Sequence, residues 1–212
     1  MESLNYRFIT IEGTEGAGKS TALNCMRHWF EAKGVEPVIS REPGGTPLAE
    51  EIRDLLLAHR DEDVDEHTEL LLMYASRVQH TECKIKPALR AGQWVISDRF
   101  NDASFAYQGT GRDIGFTELS KLDDWALSGF KPGLTFFLDL PVALGMERAG
   151  ERGALDRFEK ETLEFFERVR SGYLKRAEQD PERFVLIDAA QSIADVEQQI
   201  INALETRFAD AF

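Results

Sequence analysis

Between residues 13 and 20 the chain reads GTEGAGKS, two glycines five positions apart with a lysine and a serine after the second. This satisfies G-x-x-x-x-G-K-[ST], a spacing in which glycines let successive backbone N–H groups turn onto phosphate oxygens. A helix beginning at the end of the run adds its partial positive charge to the same anion. In that geometry Lys19 reaches the β- and γ-phosphates of a nucleoside triphosphate and the Ser20 hydroxyl ligates Mg²⁺. Gly13, Thr14, Glu15, Gly16, Ala17, Gly18, Lys19, Ser20 and Thr21 are therefore the candidate triphosphate contacts. The competing reading is a glycine-rich turn that caps a helix. Glu15 raises its own question, since a negative charge inside a phosphate cradle needs a use other than the triphosphate.

A second carboxylate stands at the end of VISD, residues 95–98, with Arg99 directly after it. Asp98 at a strand end beside a phosphate loop suits a place behind Mg²⁺, the alternative being a turn former or helix cap.

Several elements must position these groups. YRFITIE (6–12), VEPVIS (35–40), QWVIS (93–97), LTFFLDL (134–140) and RFVLID (183–188) are short, apolar runs rich in β-branched and aromatic residues, and read as strands. Helical spacing fills the intervals near 47–59, 66–91, 116–129, 141–150, 157–179 and 192–207, with a further helix after the phosphate loop. Strands alternating with helices predict an α/β fold whose five-stranded parallel sheet is covered on both faces. Three polar, glycine-bearing stretches remain: REPGGTP (41–47), YQGTGRDIG (107–115) and RAGERGALDR (148–157). The first two follow strands two and three, at the strand ends where open α/β sheets bind ligands. The third carries Arg148, Arg152 and Arg157 between glycines and reads as a lid, the whole chain forming one domain.

Composition limits the partners. Asp and Glu number 38 against 25 Lys and Arg, a net charge of −13, which excludes a general nucleic-acid binder with its basic stripe. Cys25 and Cys83 lack CxxC spacing and no signal sequence precedes the first strand, so a reducing, cytoplasmic setting with unpaired thiols is expected. His28, His59, His67 and His80 lack metal-ligand spacing and read as surface or interface residues. No apolar run approaches the roughly 18 residues of a membrane span.

Four stretches in order, FITIEGTEGAGKST, REPGGTPLAEEIR, DRFNDASFAYQGTGR and RGALDRFE, resemble the successive motifs of bacterial thymidylate kinases, from about residue 7 to residue 190. The resemblance implies a P-loop kinase fold and ATP-dependent phosphorylation of dTMP to dTDP with Mg²⁺. It assigns Arg53 and Arg99 to the dTMP phosphate, with Glu42 and Pro43 shaping the pocket in a turn whose X-Pro bond is a candidate for cis. Arg77 is to bond a base carbonyl, while the stacking slot four positions earlier holds Met73 and an aromatic residue, Tyr74, stands one later. Ser104 and Gln108 are assigned to the base and Tyr107 to the sugar, all three on one helical face. Asp98 and Ser20 go to Mg²⁺, Arg148 and Arg157 to ATP, and Arg152 to the transferring phosphoryl group. Some relatives carry an arginine at position 16; the glycine here implies delivery of that arginine from the lid. Glu15 is expected to turn toward the acceptor's 3′-hydroxyl. The family usually dimerises, with Trp29, Phe30 and the apolar face of 66–91 as candidate contacts. The rival readings are another small-molecule kinase of the same fold, a nucleotide switch (which lacks here a guanine-reading NKxD segment) and an inactive scaffold.

Overall fold

The computed structural model describes residues 4–150, 157–158, 161–209 and 211. Five strands, β1 (Phe8–Glu12), β2 (Val38–Arg41), β3 (Val95–Asp98), β4 (Leu134–Asp139) and β5 (Phe184–Asp188), form one parallel sheet in the order β2-β3-β1-β4-β5. Parallel neighbours need crossovers, and right-handed helical crossovers bury both faces of the sheet. β1 is accordingly buried along its whole length.

The two-residue period of β1 sorts its side chains. Ile9 and Ile11 face α1 (Lys19–Ala32) and α9 (Ile193–Phe208), packing with Met26, Phe30, Ile200 and Leu204. Phe8 belongs to the opposite layer with Ile85, Leu89 and Phe100. Thr10 and Glu12 share that period. Thr10 is hydrogen-bonded to Thr135 at 2.8 Å, and Glu12 accepts from the Tyr173 hydroxyl at 2.9 Å. Tyr173 lies on α8 (Leu163–Gln179).

Local chemistry sets the helix starts. Pro47 opens α2 (Pro47–Leu57) behind a Thr46 cap, Asp65 caps α3 (Glu66–His80), Thr162 caps α8 and Ser192 caps α9. The expected single helix over 66–91 is instead α3, a π-helical turn (Thr81–Ile85) and a short α4 (Lys86–Arg90). Another π-helical stretch, Phe105–Gly111, extends α5 (Asn101–Ser104) and precedes α6 (Phe116–Leu127). α7 (Val142–Gly150) follows β4 and carries Arg148 in its last turn; most of the expected lid, 151–156, lies outside the described residues. The expected helix over 157–179 begins at Leu163, because Arg157 and Phe158 form a turn.

α8 packs against the π-helical stretch almost backbone to backbone. A Cβ on Gly172 would lie 2.6 Å from Thr110 Oγ1 and 2.8 Å from Ala106 Cα, and one on Gly111 would lie 2.8 Å from the Phe165 ring.

Both cysteines are free thiols, as expected. No described helix is long and apolar enough to cross a membrane. Trp29 and Phe30, expected at a contact between subunits, are core residues at 8% and 0% exposure, Phe30 in edge contact with Trp29 and tilted against Trp94. Their positions on α1 face the sheet, and the helical pattern alone cannot separate a buried stripe from a docking stripe.

Candidate active site

The register of the sheet brings the two chemical segments together. Ile11 pairs with Asp98, so the loop leaving β1 and the turn leaving β3 emerge side by side at the carboxyl edge. Gly18 takes φ +87° at the N-terminus of α1, a conformation that suits glycine. Lys19 Nζ donates to the carbonyl oxygens of Gly13 (3.2 Å) and Thr14 (3.3 Å), which holds its ammonium within the loop. Burial and the neighbouring Arg99 charge lower the Lys19 pKa from the ordinary lysine value. Ser20 and Thr21 are exposed on the first turn of α1.

Arg99 has φ +71°, a left-handed backbone on a non-glycine residue. Two bonds fix this turn: Arg99 N–H donates to Ile11 O at 2.9 Å, and Phe100 N–H donates to Glu12 Oε1 at 2.7 Å. The guanidinium then points back toward the phosphate loop. Its Nη2 donates to Glu15 Oε1 at 2.6 Å and to the Tyr107 hydroxyl at 3.0 Å, and Tyr107 also donates to Glu15 at 3.0 Å. Burial raises the Glu15 carboxyl, but the Arg99 and Lys19 charges outweigh it and bring the group down to about 2. Glu15 is thus an ionised acceptor turned toward Arg99 and Tyr107.

A cleft opens beside this cluster, lined by Glu15, Glu42, Pro43, Arg53, Leu57, Met73, Arg77, Arg99, Ala103, Ser104, Tyr107, Gln108 and Phe158. Glu42–Pro43 is cis, as the turn suggested. Arg53 donates to Pro43 O at 2.9 Å from α2. Arg77 is 2% exposed and spends its donors on Glu42 (2.7 Å), Ser104 (2.9 Å) and Phe100 O (3.0 Å).

The Met73 and Tyr74 alternatives separate cleanly. Met73 lines the cleft, whereas Tyr74 is buried behind it, its hydroxyl donating to Asp123 at 2.7 Å and its ring 4.7 Å from the Arg77 guanidinium. Tyr74 therefore braces Arg77 from the rear. Ser104, Tyr107 and Gln108 do share the cleft wall, although a π-helical stretch rather than a plain α-helix presents the last two.

His80, read as a surface or interface histidine, is fully buried between Glu42 (3.0 Å to Nδ1) and Ser40 (2.6 Å to Nε2). Its partners lie 38 and 40 residues away, a distance over which spacing gives no signal. Glu69 was also missed. It is a fully buried carboxylate on α3, behind Gln108, and its signal is a charge one turn before Met73 on the stripe that carries Met73 and Arg77.

The arginines of the expected lid divide. Arg148 donates to Ala189 O at 3.0 Å, in the turn after β5. Arg157, expected at ATP, donates to Leu56 O at 3.0 Å and pairs with Glu69 at 2.8 Å, beside Phe158 in the cleft wall. Buried Glu69 draws the guanidinium away from the phosphate loop. Arg152 lies outside the described residues.

The residues present fit a divalent cation. Asp98 Oδ1 is buried with no hydrogen-bond partner among the described residues. Asp98 and the Ser20 hydroxyl, exposed at the start of α1, are oxygen donors of the kind Mg²⁺ takes, and are the residues that would hold it.

The thymidylate kinase family model matches residues 11–200. A thymidylate kinase of Hahella chejuensis is 52% identical over 202 residues, covering 95% of this chain and 97% of its own. That of Teredinibacter turnerae is 51% identical over 199 residues, covering 94% and 97%. That of Pseudomonas syringae pv. tomato is 51% identical over 193 residues, covering 91% and 92%. With its motifs in order on a five-stranded parallel sheet, the chain belongs to the thymidylate kinase family.

Proposed function

We propose that this family member is an ATP-dependent phosphotransferase that moves the γ-phosphoryl group of ATP to dTMP, giving dTDP for dTTP synthesis. One observation carries the reading: an anion-binding loop and a cleft lined by three arginines share an edge at the Glu15–Arg99 pair. Phosphoryl transfer asks chiefly for positioning and for cations around the transferring group. Lys19 and the N–H groups from Gly13 to Thr21 hold the triphosphate. Arg53 and Arg99 hold the acceptor phosphate, which is ionised at neutral pH and needs no strong general base. Arg77, Ser104, Gln108 and Met73 face the base, while Tyr107 and Glu15 face the sugar.

Mg²⁺, carried in with ATP, neutralises phosphate charge, and Ser20 and Asp98 are the residues that would hold it. Arg148 borders the adenine side. Arg152, from the lid, serves the transferring group, and lid closure excludes water as a competing acceptor. Replacing Arg152 by Ala lowers kcat more than it weakens dTMP binding; equal losses in both would make it a binding residue only.

A coupled assay with dTMP, dUMP, UMP and thymidine tests the reading. dTMP is the preferred acceptor, and no advantage of dTMP over thymidine or UMP would overturn it. The protein acts in the cytoplasm as a homodimer. The adjoining α2, α3 and α6 expose Leu48, Leu55, Leu71 and Trp125, the last 81% exposed, and these residues suit a subunit contact. Light scattering of Trp125→Glu against the parent protein checks it, a monomer in both overturning the dimer.

A further inference from the structure

We propose that Glu69 is a positioning residue that fixes which end of the Gln108 amide faces the cleft, and thereby selects a base bearing an imide N–H over cytosine. The inference rests on the reading of this cleft as the acceptor nucleotide site.

Glu69 does not line the cleft. It is fully buried behind it, where Oε1 accepts from Gln108 Nε2 at 2.9 Å and from Arg112 Nε at 3.3 Å. Oε2 accepts from Arg112 Nη2 at 3.2 Å and pairs with Arg157 at 2.8 Å. A carboxylate clasped by two guanidiniums only accepts hydrogen bonds. The Gln108 atom against it must then be the NH₂ group. Turning the amide over would set a carbonyl oxygen against a carboxylate oxygen in a buried site with no proton between them, and that repulsion holds the orientation.

With its NH₂ committed, Gln108 presents its carbonyl oxygen to the cleft that it lines. A carbonyl accepts from the N3–H of thymine or uracil. Cytosine offers a bare N3 acceptor at the same place, so two acceptors would oppose each other. Discrimination of this kind is large because a polar group is left unpaired in a closed site.

The test compares kcat/KM and Kd for dTMP and dCMP in the parent enzyme and in Glu69→Gln. An amide at 69 can donate as well as accept, which frees Gln108 to turn its NH₂ toward the cleft. The dTMP-to-dCMP ratio should fall about 10- to 100-fold, a larger change than any shared loss of activity. A ratio unchanged while both substrates weaken together would make Glu69 merely structural and overturn the proposal. Should Glu69→Gln fail to fold, Gln108→Leu leaves the Glu69–arginine pairs in place and should collapse the same ratio; retention of the parent ratio there would overturn it equally. A parent enzyme with no dTMP activity would instead bring down the acceptor-site reading itself.

Discussion

The carbonyl oxygen of Gly145, on α7, occupies the space in which a side chain on Gly16 would begin: a Cβ there would lie 2.0 Å from it. Gly16 also has φ +75°. The crown of the phosphate loop and α7 therefore touch through bare backbone. Gly16→Ala is expected to push α7 off the loop and to lower kcat by at least about tenfold, the combined effect of strain and displacement. Steady-state kinetics on soluble protein check this, and an unchanged kcat would show that α7 yields without consequence. Gly16→Arg should be worse, since the position cannot hold an arginine while α7 is seated.

Glu15 should make stability depend on pH at the acid end. Burial opposes its charge, Arg99 and Lys19 favour it, and its folded value of about 2 lies below the ordinary 4.5. The unfolded chain takes up the proton first, so the stabilisation is complete above about pH 4.5 and is lost as pH falls toward 2. Glu15→Gln should unfold at a lower temperature than the parent at pH 7, with the gap closing by pH 2. It should also weaken dTMP binding. A constant gap across the acid range, or unaltered dTMP handling, would contradict the role given to this carboxylate.

Glu12 predicts the opposite slope at higher pH. Burial first, and then the nearby Asp102 charge, push its carboxyl up to about 8. Between the ordinary value of 4.5 and 8 the folded protein keeps a proton that the unfolded chain has released, so this contribution to stability falls as pH rises through that window. Glu12→Gln keeps an acceptor for Phe100 N–H and removes the titration. Thermal melts from pH 5 to about 9 should be flatter for the variant than for the parent; parallel curves would refute the assignment.

Arg77 carries fold and site together. Removing it leaves Glu42, itself 4% exposed, without its guanidinium and with His80 alone at 3.0 Å, and frees Ser104 and Phe100 O. Arg77→Ala should cost about 3–5 kcal/mol, as for other broken buried pairs. Denaturant titration measures the loss, and Arg77→Ala together with Glu42→Gln should recover part of it.

The residues that could be read from the sequence are those whose chemistry is local. Lys19 and Ser20 stand out by their spacing from the loop glycines and Asp98 by its place at the end of a strand, and the sheet follows from five apolar runs separated by helices. What stayed hidden depends on partners far along the chain. His80 looks solitary until Glu42 and Ser40 fold against it. Met73 and Tyr74 are neighbours on one helix, and a periodicity of 3.6 residues cannot tell which of two adjacent positions meets the cleft. The π-helical turns at 81–85 and 105–111 shift hydrogen bonds by one residue without altering composition, so the pattern of apolar positions passes through them unmarked. The pairing of Arg157 with Glu69 joins residues 88 positions apart, so no spacing announces it.

The close approach of α8 to the π-helical stretch Phe105–Gly111 leaves a mark that evolution would have to respect. Because a methyl at 172 would collide with Thr110 Oγ1 and the Ala106 backbone, these positions cannot change independently. Across an alignment of relatives, a side chain gained at 172 should be matched by a smaller residue at 110 or by altered helix spacing around 106, a covarying set detectable without any structure.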